Sequence, residues 1–202
     1  WRKRLPVHLE AEINAVENNA ELSTRARKGQ PPRLHEYLPV RAHSVGVDNW
    51  IDLIEYTLGR ELPADFLSDP YIREIWQLTR VLHTLDNDLH GITKDMNEGW
   101  LNAVFSIAHE RGLSWVDAAA EVARLHEDLL ARFHRVEERA RRRTGLGWWL
   151  DALHQMLAGL ALWTHSTPRY SRLHRLGGET LEVNIVFTAD SETSAAPVPV
   201  AC

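Results

Sequence analysis

The run Asn87-Asp-Leu-His-Gly91-Ile-Thr-Lys94-Asp95 carries the residue types and the spacing most suited to chemistry. At about 100° per residue, positions 91, 94 and 95 fall about 40°, −20° and 80° from Asn87, so all four share one helix face. An amide oxygen, an ammonium and a carboxylate therefore project together from a stretch that is otherwise apolar. Oxygen donors of this kind suit a hard divalent cation, and the ammonium beside them suits an anionic substrate. Taken alone, the segment reads equally well as a solvated polar face. Asp86 and Asp88 point elsewhere and read as exposed.

Other chemistries are excluded by what is missing. The chain has eleven histidines, but none lies in a His-Glu-x-x-His zinc helix and no Glu-x-x-His pair occurs. No Gly-rich phosphate loop with its Lys and no Gly-x-Ser-x-Gly elbow is present. The single cysteine, Cys202, is the last residue, so neither a disulfide framework nor a thiolate metal site can form. Lys and Arg number 23 against 28 Asp and Glu, giving a net charge of −5, without the positive field of a nucleic-acid binder. With 202 residues, 44% hydrophobic and 25% charged, the composition is that of one globular domain. No apolar run reaches the ~18 residues of a membrane span, and the expectation is a cytoplasmic protein. Trp1-Arg-Lys-Arg-Leu-Pro6 has no signal-peptide core and reads as the interior of a longer chain.

The elements that must position these residues are helical almost throughout. Helices are expected over His8 to Arg27, Leu34 to His43 and Asp48 to Leu58, with breaks at Lys28-Gly-Gln-Pro-Pro32, Ser44-Val-Gly46 and Gly59. Pro70 opens a long helical pattern that runs through Leu78, Leu82, Leu85 and Leu89 toward Ala108. Ser114-x-x-Asp117 caps the next helix, which ends in the basic run to Arg143. Trp148 to about Ser166 forms the last helix. Beyond Gly178 the chain turns into Glu182-Val-Asn-Ile-Val-Phe187 and a Ser/Thr/Ala/Pro tail. The class is all-α.

The central run resembles the second metal motif of class I terpene synthases, Asn-Asp-x-x-Ser-x-x-Lys-Glu, with Asn87, Asp88, Lys94 and Asp95 in register. Trp163-Thr-His-Ser-Thr-Pro-Arg169-Tyr170 is similar to the family's C-terminal Arg-Tyr motif. Glu36-Tyr37-Leu-Pro-Val-Arg41 is similar to its diphosphate-sensing segment, with Ser44-Val45-Gly46 as the helix break that follows. The three occur in the family's order. Gly91 stands where the family has Ser or Thr, so a water would replace the side-chain oxygen, and Asp95 is one methylene shorter than Glu. The family's Asp-rich first motif is not in this chain.

The resemblance implies a partial class I terpenoid synthase α-helical bundle lacking its N-terminal helices. Residues 1–172 would be the C-terminal part of the catalytic domain, and 173–202 a flexible tail. The whole enzyme would ionise a linear prenyl diphosphate, farnesyl diphosphate first and geranyl diphosphate second, using three Mg²⁺. Asn87, Gly91 (through water) and Asp95 would hold one ion. Arg41, Lys94, Arg169 and Tyr170 would bind the diphosphate, with Arg41, Arg169 and Tyr170 catalytic, and Trp163 would wall the cavity. A homodimer is compatible with the resemblance. The alternatives are a prenyl-chain elongating transferase and a non-catalytic helical interaction module with a decayed site. The 202 residues alone are expected to leave the apolar face of Leu78, Leu82 and Leu85 uncovered.

Overall fold

A computed structural model describes residues 1–176 and 178–184. Its spine is helix α4, Pro70–Glu98. Pro70 occupies the first turn, where its missing N–H costs nothing, and Asp69 caps the helix by accepting from the Tyr71 and Ile72 amides. Buried residues are spread over most of the circumference of α4, as expected of a helix enclosed by neighbours. Before it come α1 (Arg4–Arg27), α2 (Leu34–Ser44) and α3 (Val47–Leu58). After it come α5 (Ala103–Arg111), α6 (Trp115–Thr144) and α7 (Gly147–Ser166).

Two apolar clusters hold these helices on α4. Ile72, Ile75, Trp76, Leu78 and Leu82 pack with Ile51 of α3, Phe133 of α6, and Trp149, Leu150 and Leu153 of α7. Leu85 and Ile92 pack with Tyr37 of α2, Val104 and Ile107 of α5, and Ala118 and Val122 of α6. The first half of α4 thus meets the second half of α6, and the reverse, so the two helices run antiparallel. Leu78, Leu82 and Leu85 are buried here, which corrects the expectation of an uncovered face. The cover comes from α3, α6 and α7 over Leu78 and Leu82, and from α2, α5 and α6 over Leu85, all within the same chain.

Two further differences from the sequence reading have local causes. The pattern expected to run unbroken to Ala108 is split. Gly99 adopts φ 72°, closing α4 in a left-handed cap that suits a residue without Cβ, and Asn102 recaps α5 by accepting from the Val104 amide at 2.9 Å. The C-terminal stretch expected as a flexible tail from 173 contains a hairpin of β1 (Leu173–Leu176) and β2 (Glu179–Glu182), with Leu173 opposite Glu182. Alternate residues of β1 turn inward: His174 and Leu176 are buried while Leu173 and Arg175 are exposed. That two-residue period is short enough to escape a search dominated by helices. The rest of the expected tail, 185–202, lies outside the described residues. Among the described residues no helix is long and apolar enough to cross a membrane.

Asp86, expected on the surface, is instead enclosed by the bundle. Asp86 is buried, with Oδ2 unpartnered among the described residues. Burial pushes its carboxyl up to about 7. An acid whose folded-state value is raised favours folding while protonated, so its contribution is complete below the ordinary 3.8 and is lost as pH rises to about 7. Asp86→Asn should match the parent's stability below about pH 4. It should exceed it by up to about 4 kcal/mol above pH 7, as read by urea unfolding across that range. Equal stability at pH 8 would show that Asp86 is not held in an apolar setting.

Candidate functional site

A buried carboxylate organises the middle of α4. Asp88 has no exposed surface, contrary to the exposed position expected for it, because α2 and α5 close over that face. Three donors meet it. The Tyr37 hydroxyl donates to Oδ2 at 2.8 Å, the Ala103 amide donates to Oδ2 at 2.9 Å, and Arg41 Nε donates to Oδ1 at 3.0 Å. Burial raises the Asp88 pKa, while Arg41 and the two other donors oppose that rise. Burial likewise disfavours the Arg41 cation, but the charges of Asp88 and Asp95 and the hydrogen bond to Asp88 outweigh it and raise its pKa. Desolvation and Asp88 together raise Tyr37, which stays a neutral donor.

With its Nε fixed, Arg41 directs Nη2 to Asn87 Oδ1 at 2.7 Å. Asn87 in turn donates from Nδ2 to the Tyr170 hydroxyl at 2.9 Å. These contacts line a cleft of about 320 Å³. Its walls include Arg41, Ser44 and Val45 at the end of α2, and Asn87, Lys94, Asp95 and Glu98 on α4. Val16 and Asn19 of α1, Trp100 with Leu101, and Arg169 with Tyr170 after α7 complete it. Arg41, Asn87, Lys94, Asp95, Arg169 and Tyr170, singled out from sequence, are thus gathered in one place. Trp163 is not in the lining: it is about half exposed and stands edge-on to the Tyr170 ring at 5.8 Å.

Gly91 has a different part. A Cβ there would lie 2.8 Å from Asp95 Oδ2, so the carboxylate of Asp95 occupies the space above the bare glycine. Asn102 Nδ2 holds that carboxylate at 2.9 Å and also donates to the Asp88 carbonyl at 2.8 Å. Lys94 Nζ lies against Asp95 Oδ1 and 3.6 Å from Glu98. Asn102 and Trp100 were missed in the sequence, because both belong to the loop that the unbroken-helix reading concealed. The break after α2 is a real turn: Gly46 has φ 77°, and a Cβ there would meet Glu12 Oε1 at 2.6 Å.

The electrostatics are those of a mixed site. Arg41, Lys94 and Arg169 face the cleft beside Asp95 and Glu98. The Tyr170 hydroxyl is the main influence raising the Arg169 pKa. The side-chain donor set on α4 is wholly oxygen, an amide and a carboxylate, which fits a magnesium-like ion in type. The flanking cations fit the anion such an ion accompanies.

The helical scaffold is shared with solved bacterial synthases. The 2-methylisoborneol synthase of Streptomyces coelicolor A3(2), solved with Mg²⁺ and 2-fluoroneryl diphosphate, superimposes with TM-score 0.75 at 22% identity, over 84% of this chain and 53% of that one. The linalool/nerolidol synthase of Streptomyces clavuligerus gives 0.72 at 21%, over 82% and 58%. Residues 1–132 match the family described as "Terpene synthase family 2, C-terminal metal binding", and the chain belongs to that family. It is 33% identical to spiroviolene synthase of Streptomyces violens over 84% of this chain and 49% of that protein. It is 24% identical to (+)-eremophilene synthase of Sorangium cellulosum (strain So ce56), over 87% and 53%. The chain spans about half the length of the curated relatives it matches.

The network around Asp88 makes a direct prediction. Asp88→Ala would leave the part-buried Arg41 guanidinium without its counter-ion and strand the buried Ala103 amide, costing on the order of 3 kcal/mol. Tyr37→Phe removes one of three donors and should cost about 1–3 kcal/mol. Urea unfolding that ranks the two the other way would displace Asp88 from the centre of the network.

Proposed function

We propose that this chain is the metal- and diphosphate-binding part of a class I terpene cyclase that ionises a linear prenyl diphosphate. The observation that carries the proposal is the single cleft. It draws Arg41, Asn87, Lys94, Asp95, Arg169 and Tyr170 from three separate stretches of sequence. Farnesyl diphosphate is the favoured substrate and geranyl diphosphate the second.

Asn87 and Asp95 would hold one of three Mg²⁺, with water above Gly91 once the Asp95 carboxylate turns toward the ion. Bound Mg²⁺ would neutralise the diphosphate and so favour its departure. Lys94 and Arg169 donate to the diphosphate, and the Tyr170 hydroxyl adds a neutral donor. Arg41 is anchored through Nε on Asp88, so its Nη groups can change partner without the side chain losing its place. Nη2 now rests on Asn87 Oδ1. Its transfer to an arriving anion frees that oxygen for a cation, so the two ligands assist each other. Donors that tighten as negative charge collects on the leaving group lower the barrier rather than only the binding constant. No protein nucleophile is needed.

Calorimetry with inorganic diphosphate tests this on the chain itself. Binding should require millimolar Mg²⁺, and Arg169→Ala and Asp95→Asn should each weaken it at least about tenfold, a loss expected of charge-assisted contacts. Gly91→Ser should displace the Asp95 carboxylate from Asn102 and retain binding through the added hydroxyl. In the whole enzyme, Arg41→Ala and Arg169→Ala should lower kcat by about 10²–10³. Diphosphate binding indifferent to Mg²⁺ would overturn the assignment.

A further inference from the structure

On the side of the bundle formed by α6 and α7, Glu137 is buried between two half-exposed histidines. His134 lies three residues before it on the same face of α6, and His154 comes from α7. One ligand atom from each residue lies within 4.8 Å of the other two. His134 Nδ1 stands 3.7 Å from Glu137 Oε2, and His154 Nδ1 stands 3.5 Å from Glu137 Oε1. We propose that His134, Glu137 and His154 form a binding site for a divalent transition-metal ion of the zinc class, joining α6 to α7. The site shares no residue with the cleft on α4, and the proposal stands independently of the function assigned there.

The geometry is close to what such an ion needs. Nitrogen and oxygen ligands about 2.1 Å from a tetrahedral ion are about 3.4 Å apart. Each histidine stands within a few tenths of an ångström of that spacing from one Glu137 oxygen, and side-chain rotation within the 4.8 Å set brings all three onto one ion. The Glu137 carboxylate is already oriented. Arg141 donates to its Oε1 from Nη2 at 2.6 Å and from Nε at 3.2 Å, the kind of outer partner that fixes a ligating carboxylate. The Arg141 charge is shared with Asp151 at 2.7 Å. Glu137, Asp151 and Arg141 therefore sum to one negative charge before a cation arrives. Beneath the site, the Phe133 ring lies edge-on to both imidazoles, 5.9 Å from His134 and 6.3 Å from His154. Phe133 is itself buried. It supplies a dry floor, while the half-exposed imidazoles leave a path for the ion and room for water in its remaining position.

Two imidazoles select zinc, cobalt, nickel or copper over magnesium, whereas the cleft on α4 offers oxygen donors. That difference separates the sites in one experiment. Titrating the 202-residue chain with Co²⁺ in excess Mg²⁺ should show one equivalent bound, with the visible absorption of a four- or five-coordinate ion, and Zn²⁺ should displace it. His134→Ala and His154→Ala should each weaken binding at least tenfold and abolish it together, with unchanged helical circular dichroism. His35→Ala and Asp95→Asn should leave the titration as it is. The proposal is overturned if no stoichiometric binding occurs, if the double variant binds like the parent, or if Asp95→Asn removes the signal.

Discussion

A carboxylate without solvent must be given donors, and in this chain the donors of Asp88 are parts of other helices. Tyr37 and Arg41 come from α2, and the Ala103 amide is the first turn of α5. Satisfying one buried charge thus fixes the positions of α2 and α5 on α4. It also fixes the direction in which Arg41 points. Because its Nε is committed to Asp88, only the far side of the guanidinium remains for the cleft, and that side reaches Asn87. An Asp at this position does what a buried ion pair does best: it contributes geometry more than net stability.

Much of this organisation was legible beforehand. The helical period located α1 to α4, α6 and α7, because apolar residues recur at helical spacing along each, whether buried as on α4 and α6 or largely exposed as on α1. The cleft residues on α4 were legible because one helix face is a matter of arithmetic. What the sequence concealed were the features that depend on contacts between distant segments. Asp88 reads as a surface acid until Tyr37 and Ala103 are placed against it, since nothing local to α4 announces the cover. The loop at Gly99 to Asn102 was hidden by apolar residues that keep helical spacing across it. Its glycine and its capping asparagine were the available signal. The hairpin escaped because each strand has four residues.

Gly91 and Asp95 looked like two separate departures from the metal motif that the chain resembles. In the structure they are one adjustment: the carboxylate of the shorter acid lies over the glycine and is held there by Asn102. A larger residue at 91 and the present position of Asp95 exclude each other. The two positions therefore form a coupled pair, and substitutions at them are not additive in their effects.

The bond from Asn87 to Tyr170 spans 83 positions along the chain, and that from Thr93 to His174 spans 81. Contacts of such separation pay the largest loop-closure entropy and gain nothing until the helices between them are already packed. Each helix can form from local contacts, and α4 can pair with α6 before residue 170 reaches its place. The last wall of the cleft thus depends on the packing of the helices between its two halves. A chain whose helices are complete can still lack a finished site, and far-ultraviolet ellipticity alone would not distinguish it from the native protein.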